Sequence, residues 1–201
     1  ASAVSNAGGL GLIGSGSMYP EVLREHIQKC KGATQKPFGV NVPLLYPDID
    51  KLMKIIVEEK VPIVFTAAGN PRLWTSYLKD NNCTVAHVVS SVKFALKAEE
   101  CGVDAIVAEG FEAGGHNGRE ETTTMTLIPL IKKSINIPLI AAGGIASGEA
   151  MLAAMALGAK AVQVGSRFVA TPEASSHPNF KEEILKAEQG STCLLYTSPS
   201  P

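Results

Sequence analysis

Short apolar runs recur along this chain at intervals of about 20–30 residues, each followed by a segment with helical spacing. The runs are Leu10–Ile13, Phe38–Val42, Pro62–Thr66, Thr84–Val88, Ala105–Ala108, Pro138–Ala142 and Ala161–Val164. Helices are predicted at Ala1–Ala7, Pro20–Lys31, Ile49–Glu59, Pro71–Asp80, Ser91–Glu100, around Thr126–Ser134, and at Ser147–Leu157. Strands that are apolar throughout, rather than alternating, pair in parallel with both faces covered. An open doubly wound sheet and a closed barrel both fit this rhythm. Seven strands after a lone helix favour an α/β TIM (β/α)8 barrel, truncated at the N-terminus, with its first strand missing, and at the C-terminus. The expected domain is a partial barrel over residues 1–192. Residues 193–201, CLLYTSPSP, match neither the composition nor the rhythm before them and read as a translated sequencing-adapter end.

Composition narrows the function class. Of 201 residues, 45% are hydrophobic and 18% charged, as in an ordinary globular domain with a sizeable core. A net charge of −1, with no basic stripe, argues against nucleic acid as a partner. No apolar run reaches the length of a membrane span and no signal peptide is visible, so no membrane partner and a cytoplasmic location are expected. Cys30, Cys83, Cys101 and Cys193 are scattered without metal-ligand spacing, so reduced thiols and no metal are expected.

The chemistry concentrates in Asp104–Gly118, DAIVAEGFEAGGHNG. An apolar strand there breaks into a loop with Gly110, Gly114, Gly115 and Gly118, a backbone able to lie against a flat ligand. Only His116 in that loop is of a type that exchanges a proton near neutral pH, and a histidine at the mouth of a barrel strand is placed as a base. Two further glycine loops leave the last strands: Gly143-Gly144, with Ser147 placed to cap the next helix, and Gly165-Ser166-Arg167. Adjacent strand-end loops of this kind are where barrels bind phosphate. Arg167 is equally suited to a phosphate and to a surface ion pair.

Asn41 and Asn70, at strand ends, suit the edge of a heterocycle or the cap of a turn. Glu109 and Gln163 place polar groups at the mouth. His26, His87 and His177 read as structural, and Trp74 as core. The string Gly9-x-Gly11-x-x-Gly14 spans a predicted strand instead of following one, which excludes a dinucleotide fingerprint.

FGVN (Phe38–Asn41), TAAGNP (Thr66–Pro71), AEGFEAGGHNG (Ala108–Gly118), TTTMTL (Thr122–Leu127), IAAGGI (Ile140–Ile145) and VQVGSRF (Val162–Phe168) together resemble the nitronate monooxygenase family. That family, also called 2-nitropropane dioxygenase-like, includes the FMN-dependent enoyl-acyl-carrier-protein reductases. The resemblance runs to about Lys186. It implies an FMN-binding barrel in which Asn41, Glu109 and Gly114 contact the flavin; family members often carry glutamine at the Glu109 position. Gly143, Gly144, Gln163, Gly165 and Ser166 would hold the ribityl-phosphate, and His116 matches the catalytic histidine.

The activity so implied is oxidation of alkyl nitronates with O2 to a carbonyl compound and nitrite. The alternative within the family is NAD(P)H-dependent reduction of an enoyl thioester. A non-catalytic flavin- or phosphate-binding barrel is the reading from another class. The expected partners are a small-molecule substrate and O2, with a homodimer left open.

Overall fold

The computed structural model describes residues 1–192, to which every structural statement below refers; the expectation for residues 193–201 lies outside them. Among the described residues the chain divides into two compact units, Ala1–Gln163 and 164–192.

The first unit holds one parallel sheet of seven strands: β1 (Gly11–Gly14), β2 (Phe38–Pro43), β3 (Ile63–Ala67), β4 (Thr84–Val89), β5 (Ala105–Glu109), β6 (Leu139–Ala142) and β7 (Ala161–Gln163). Each strand lies beside its predecessor in sequence, in the order β1 to β7. This single direction of winding is that of β/α barrels, whereas a doubly wound sheet reverses its order at a switch point. Helices α1 (Ser2–Asn6), α2 (Pro20–Ala33), α3 (Ile49–Glu58), α4 (Thr75–Asp80), α5 (Val92–Glu100), α6 (Thr124–Lys132) and α7 (Gly148–Ala156) alternate with the strands. Right-handed crossovers put the connecting helices on one face of the sheet.

Strand alternation sorts the side chains. Phe65, Ala86, Val107 and Ala142 cluster on the face opposite the connecting helices, with Leu12, Ile63, Val88, Ala105 and Ile140 packed against them. Strand residues of the other parity, Val40, Val64, Val85, Ile106 and Leu139, are fully buried. So are the apolar stripes of the helices: Leu23 and Ile27 of α2, Leu52, Met53 and Ile56 of α3, and Leu127, Ile128 and Ile131 of α6. Burial of such side chains, each worth about 1.5–3 kcal/mol, is what holds helix to sheet.

Four local readings are corrected. The helix expected over Pro71–Asp80 is a 3-10 turn, Pro71–Leu73, followed by α4, because Trp74 leaves the helical region with φ −124°. Asn70 caps that turn, its side-chain oxygen accepting from the Arg72 N–H at 3.3 Å. Asn41 does not end β2, which continues in register to Pro43 opposite Ala67. β5 extends through Glu109, which pairs with Ala142. Trp74 is half-buried, stacked edge-on against Tyr77, and is not part of the core.

In the second unit lie α8 (Ser166–Val169) and α9 (Pro178–Lys186), both unanticipated from sequence. Pro178 opens α9, and His177 Nδ1 caps it by accepting from the Asn179 N–H at 3.2 Å. The Lys181 ammonium donates to the carbonyls of Thr171 and Ala174, at 2.8 and 2.7 Å. His177 is thus structural, as expected.

Candidate active site

The loop after β5 is tied down by its own carboxylate. α6 opens on Thr123, whose side chain makes no capping hydrogen bond, and it has no acid in its first turn. Glu112 supplies both. Its carboxylate accepts from the Thr124 N–H at 2.9 and 3.1 Å and from the Thr124 hydroxyl at 3.0 Å. A carboxylate at a helix N-terminus satisfies free N–H groups and complements the helix dipole. Four residues on, His116 is exposed, as are Gly114 and Gly115. Asn117 braces this arc from inside, its amide donating to the Phe111 and Ala113 carbonyls, both at 2.9 Å.

The loop after β6 packs on the same point. The Thr124 hydroxyl also lies 2.9 Å from the Gly143 carbonyl, and the Gly110 N–H donates to the Ala142 carbonyl at 2.9 Å. Gly143 has φ +103°, and a Cβ there would meet the Gly110 carbonyl at 2.8 Å and the Thr124 hydroxyl at 2.9 Å. A Cβ on Gly144, which has φ +66°, would lie 3.1 Å from the Glu112 Cβ. Both positions therefore need glycine so that two loops can meet, whatever ligand they bind. Ser147 caps α7 as expected, accepting from the Ala150 N–H at 3.3 Å.

Three polar side chains of the expected site belong to the sheet face opposite the connecting helices. Asn41 pairs with Gly14 and with Phe65, a residue of the cluster on that face. Glu109 and Gln163 are the lateral neighbours of Ala142, one on each side. Glu109 has no hydrogen-bonding or ionic partner among the described residues, and burial pushes its carboxyl above the usual carboxylate range. Gln163 Oε1 is buried without a partner. An unpaired buried acceptor costs about 1–3 kcal/mol, which a donor from a ligand would recover. Gly14 leaves the same face open, since a Cβ there would meet nothing within 4 Å.

The expected residues thus group in part. Glu109, Gly143, Gly144 and Gln163 lie at the ends of three adjacent strands, with Gly114 and His116 on the loop above β5. Asn41 is on β2, three strands from β5. Gly165 and Ser166 belong to the second unit, where Gly165 precedes the single turn of α8 and has open space around it. Sequence reasoning missed the pairing of Glu112 with Thr124. The signal was present: a helix starting in three threonines with no acid of its own, and an unassigned acid in the preceding loop.

The nitronate monooxygenase family model matches residues 1–55 and 46–199. A probable nitronate monooxygenase of Bacillus subtilis is 33% identical, over 96% of this chain and 68% of its own. A (3aS,4S,5R,7aS)-5-hydroxy-7a-methyl-1-oxo-octahydro-1H-indene-4-carboxyl-CoA dehydrogenase of Rhodococcus jostii is 35% identical, over 90% of this chain and 51% of its own. Among solved structures, FabK from Thermotoga maritima superposes with a TM-score of 0.89 and 53% identity, over 93% of this chain and 60% of that one. The chain therefore spans between half and about two thirds of the length of these relatives.

Proposed function

Since the chain belongs to the nitronate monooxygenase family, we propose that it forms the flavin-binding part of an FMN-dependent oxidoreductase that oxidises alkyl nitronates with O2 to a carbonyl compound and nitrite. The observation that carries this reading is the buried, unpartnered Gln163 Oε1 beside the partnerless Glu109, at strand ends bordered by the exposed Gly114 and Gly144. Polar groups left without protein partners on an otherwise apolar face suit a flat, polar-edged heterocycle. The winding of the sheet supports a TIM barrel as the complete fold.

The residues fit FMN. Asn41, Glu109 and Gly114 would contact its ring system together with Gln163, whose unpartnered Oε1 suits the ring edge rather than the ribityl-phosphate side first expected for it, and Gly143 and Gly144 would contact the ribityl-phosphate side. When bound, FMN supplies the electron transfer that neither histidine nor carboxylate can perform. The chain supplies the rest. His116 takes the α-proton of a nitroalkane onto its imidazole, or holds the nitronate once formed. The Glu112–Thr124 contact fixes the loop from which His116 reaches, and the apolar face around Val107 and Ala142 keeps water from the reacting centre.

A second reading, reduction of an enoyl thioester by NAD(P)H through the same FMN, is favoured by one observation. FabK, an enoyl-acyl-carrier-protein reductase, is 53% identical to this chain over the part that aligns, against 33% for the Bacillus subtilis relative. The test runs both assays on the full-length protein. Nitrite from propionate 3-nitronate in air supports the first reading. NADH consumption with a saturated thioester product and no nitrite replaces it with the second. A protein that takes up no FMN overturns both.

A further inference from the structure

Glu109 stands out at the strand ends as an acid with nothing to neutralise it. The groups around it are these. β4 contributes Val88 and β6 contributes Ala142 and Ile140 on the shared face, none of them charged. β7 contributes Gln163. The loop that follows carries Glu112, bound to Thr124, and Glu120, bound to the Ser90 hydroxyl at 3.1 Å, along with His116, Arg119 and Glu121. None of these charges acts on Glu109; burial alone does, and it favours the protonated form.

Across Ala142, the buried Gln163 Oε1 is a pure acceptor without a donor. Glu109 and Gln163 sit two strands apart in one lateral row, so their backbones are roughly 10 Å from each other. That gap suits a planar ring, with the small Ala142 beneath it. An ionised carboxylate would offer only acceptors, and the two sides of the gap would then ask the ligand for donors alone.

We propose that Glu109 works as a neutral acid, donating a hydrogen bond to the bound heterocycle while Gln163 Oε1 accepts one from it across Ala142. The ligand recognised is a planar heteroaromatic with adjacent acceptor and N–H groups on its edge. Taking that ligand to be FMN rests on the reading above. The proton stays on Glu109 and is shared with a ring acceptor; no bond is broken. Binding is therefore strongest while Glu109 is protonated and weakens as pH rises through its raised pKa.

Two measurements on the full-length protein test this. Infrared difference spectra of the parent protein minus Glu109→Gln, both with FMN bound and taken across a pH series, contain a protonated-carboxyl band that persists to higher pH than that of a free glutamate; an ionised carboxylate band at every pH overturns the proposal. FMN affinity, read by quenching of flavin fluorescence across a pH series, falls on the order of tenfold or more for the parent over about two pH units. Glu109→Gln, which keeps a donor at every pH, binds FMN without that fall, so the ratio of the two affinities cancels the titration of the FMN phosphate. Gln163→Met weakens binding several-fold and keeps the pH dependence. A ratio that stays flat with pH overturns the donor role. Failure of the FMN reading looks different: neither protein takes up FMN at any pH, and the donor role falls with it.

Discussion

The Glu112 carboxylate caps the N-terminus of α6 through the backbone N–H and hydroxyl of Thr124, at 2.9–3.1 Å. The Thr124 hydroxyl in turn touches the carbonyl of Gly143 at 2.9 Å. One side chain thereby joins the histidine loop, the following helix and the glycine turn after β6. Hydrogen bonds to a charged acceptor at a helix start are worth about 1–3 kcal/mol together. Glu112→Ala should lower the unfolding free energy by that order and speed amide exchange at Thr124 and across residues 110–118. Glu112→Gln, which keeps an acceptor, should lose less than half as much. Exchange read peptide by peptide checks both.

Glycine at position 143 is demanded by two loops meeting. Gly143→Ala places a Cβ at φ +103° and 2.8 Å from the Gly110 carbonyl, backbone that cannot swing aside. A loss of about 2 kcal/mol or more in urea midpoint stability is expected. Gly32→Ala provides the opposite sign. Gly32 lies within α2, where a Cβ would meet nothing within 4 Å, so alanine should stabilise by about 0.5–1 kcal/mol.

His87 is the acid-sensitive point of the core. On β4 it is 4% exposed, with Nδ1 at 2.8 Å from the Thr66 hydroxyl. Burial first, and then the charge of Lys97 on α5, lower its pKa from 6.5 to about 4. With the folded value depressed, the neutral ring's stability is fully present above about 6.5 and is lost as pH falls toward about 4. That loss is worth roughly 3 kcal/mol. Chemical denaturation in that window should show the parent losing stability faster than His87→Gln.

The fold was legible because the strands announce themselves. Val40, Val64, Val85, Ile106 and Leu139 fall in short apolar runs, and buried parallel strands need that composition. The break at Trp74 was not legible, because Pro71 and the spacing after it suit an unbroken helix and only the local backbone shows otherwise. α9 was hidden by a polar stretch with no buried residue. At the site, the motifs marked Glu109, His116 and the glycines. What each glycine is for was hidden, since Gly143 is constrained by Gly110 and Thr124, residues 33 and 19 positions away. Gln163 could be picked out as polar at a strand end, but its lack of a partner is a property of the packed structure alone.

His116 as the proton acceptor at a flavin site is the central claim, and one comparison tests it directly. Nitrite formation by the full-length protein and by His116→Ala is measured with nitroethane and with preformed ethyl nitronate, the flavin content of both proteins being matched. A general base contributes about 10²–10⁴-fold, and only where a proton must be removed. The account predicts a loss of that size with nitroethane and a change of only a few-fold with the nitronate. Equal activity of the two proteins toward nitroethane, or no nitrite from either compound in the parent protein, would contradict it.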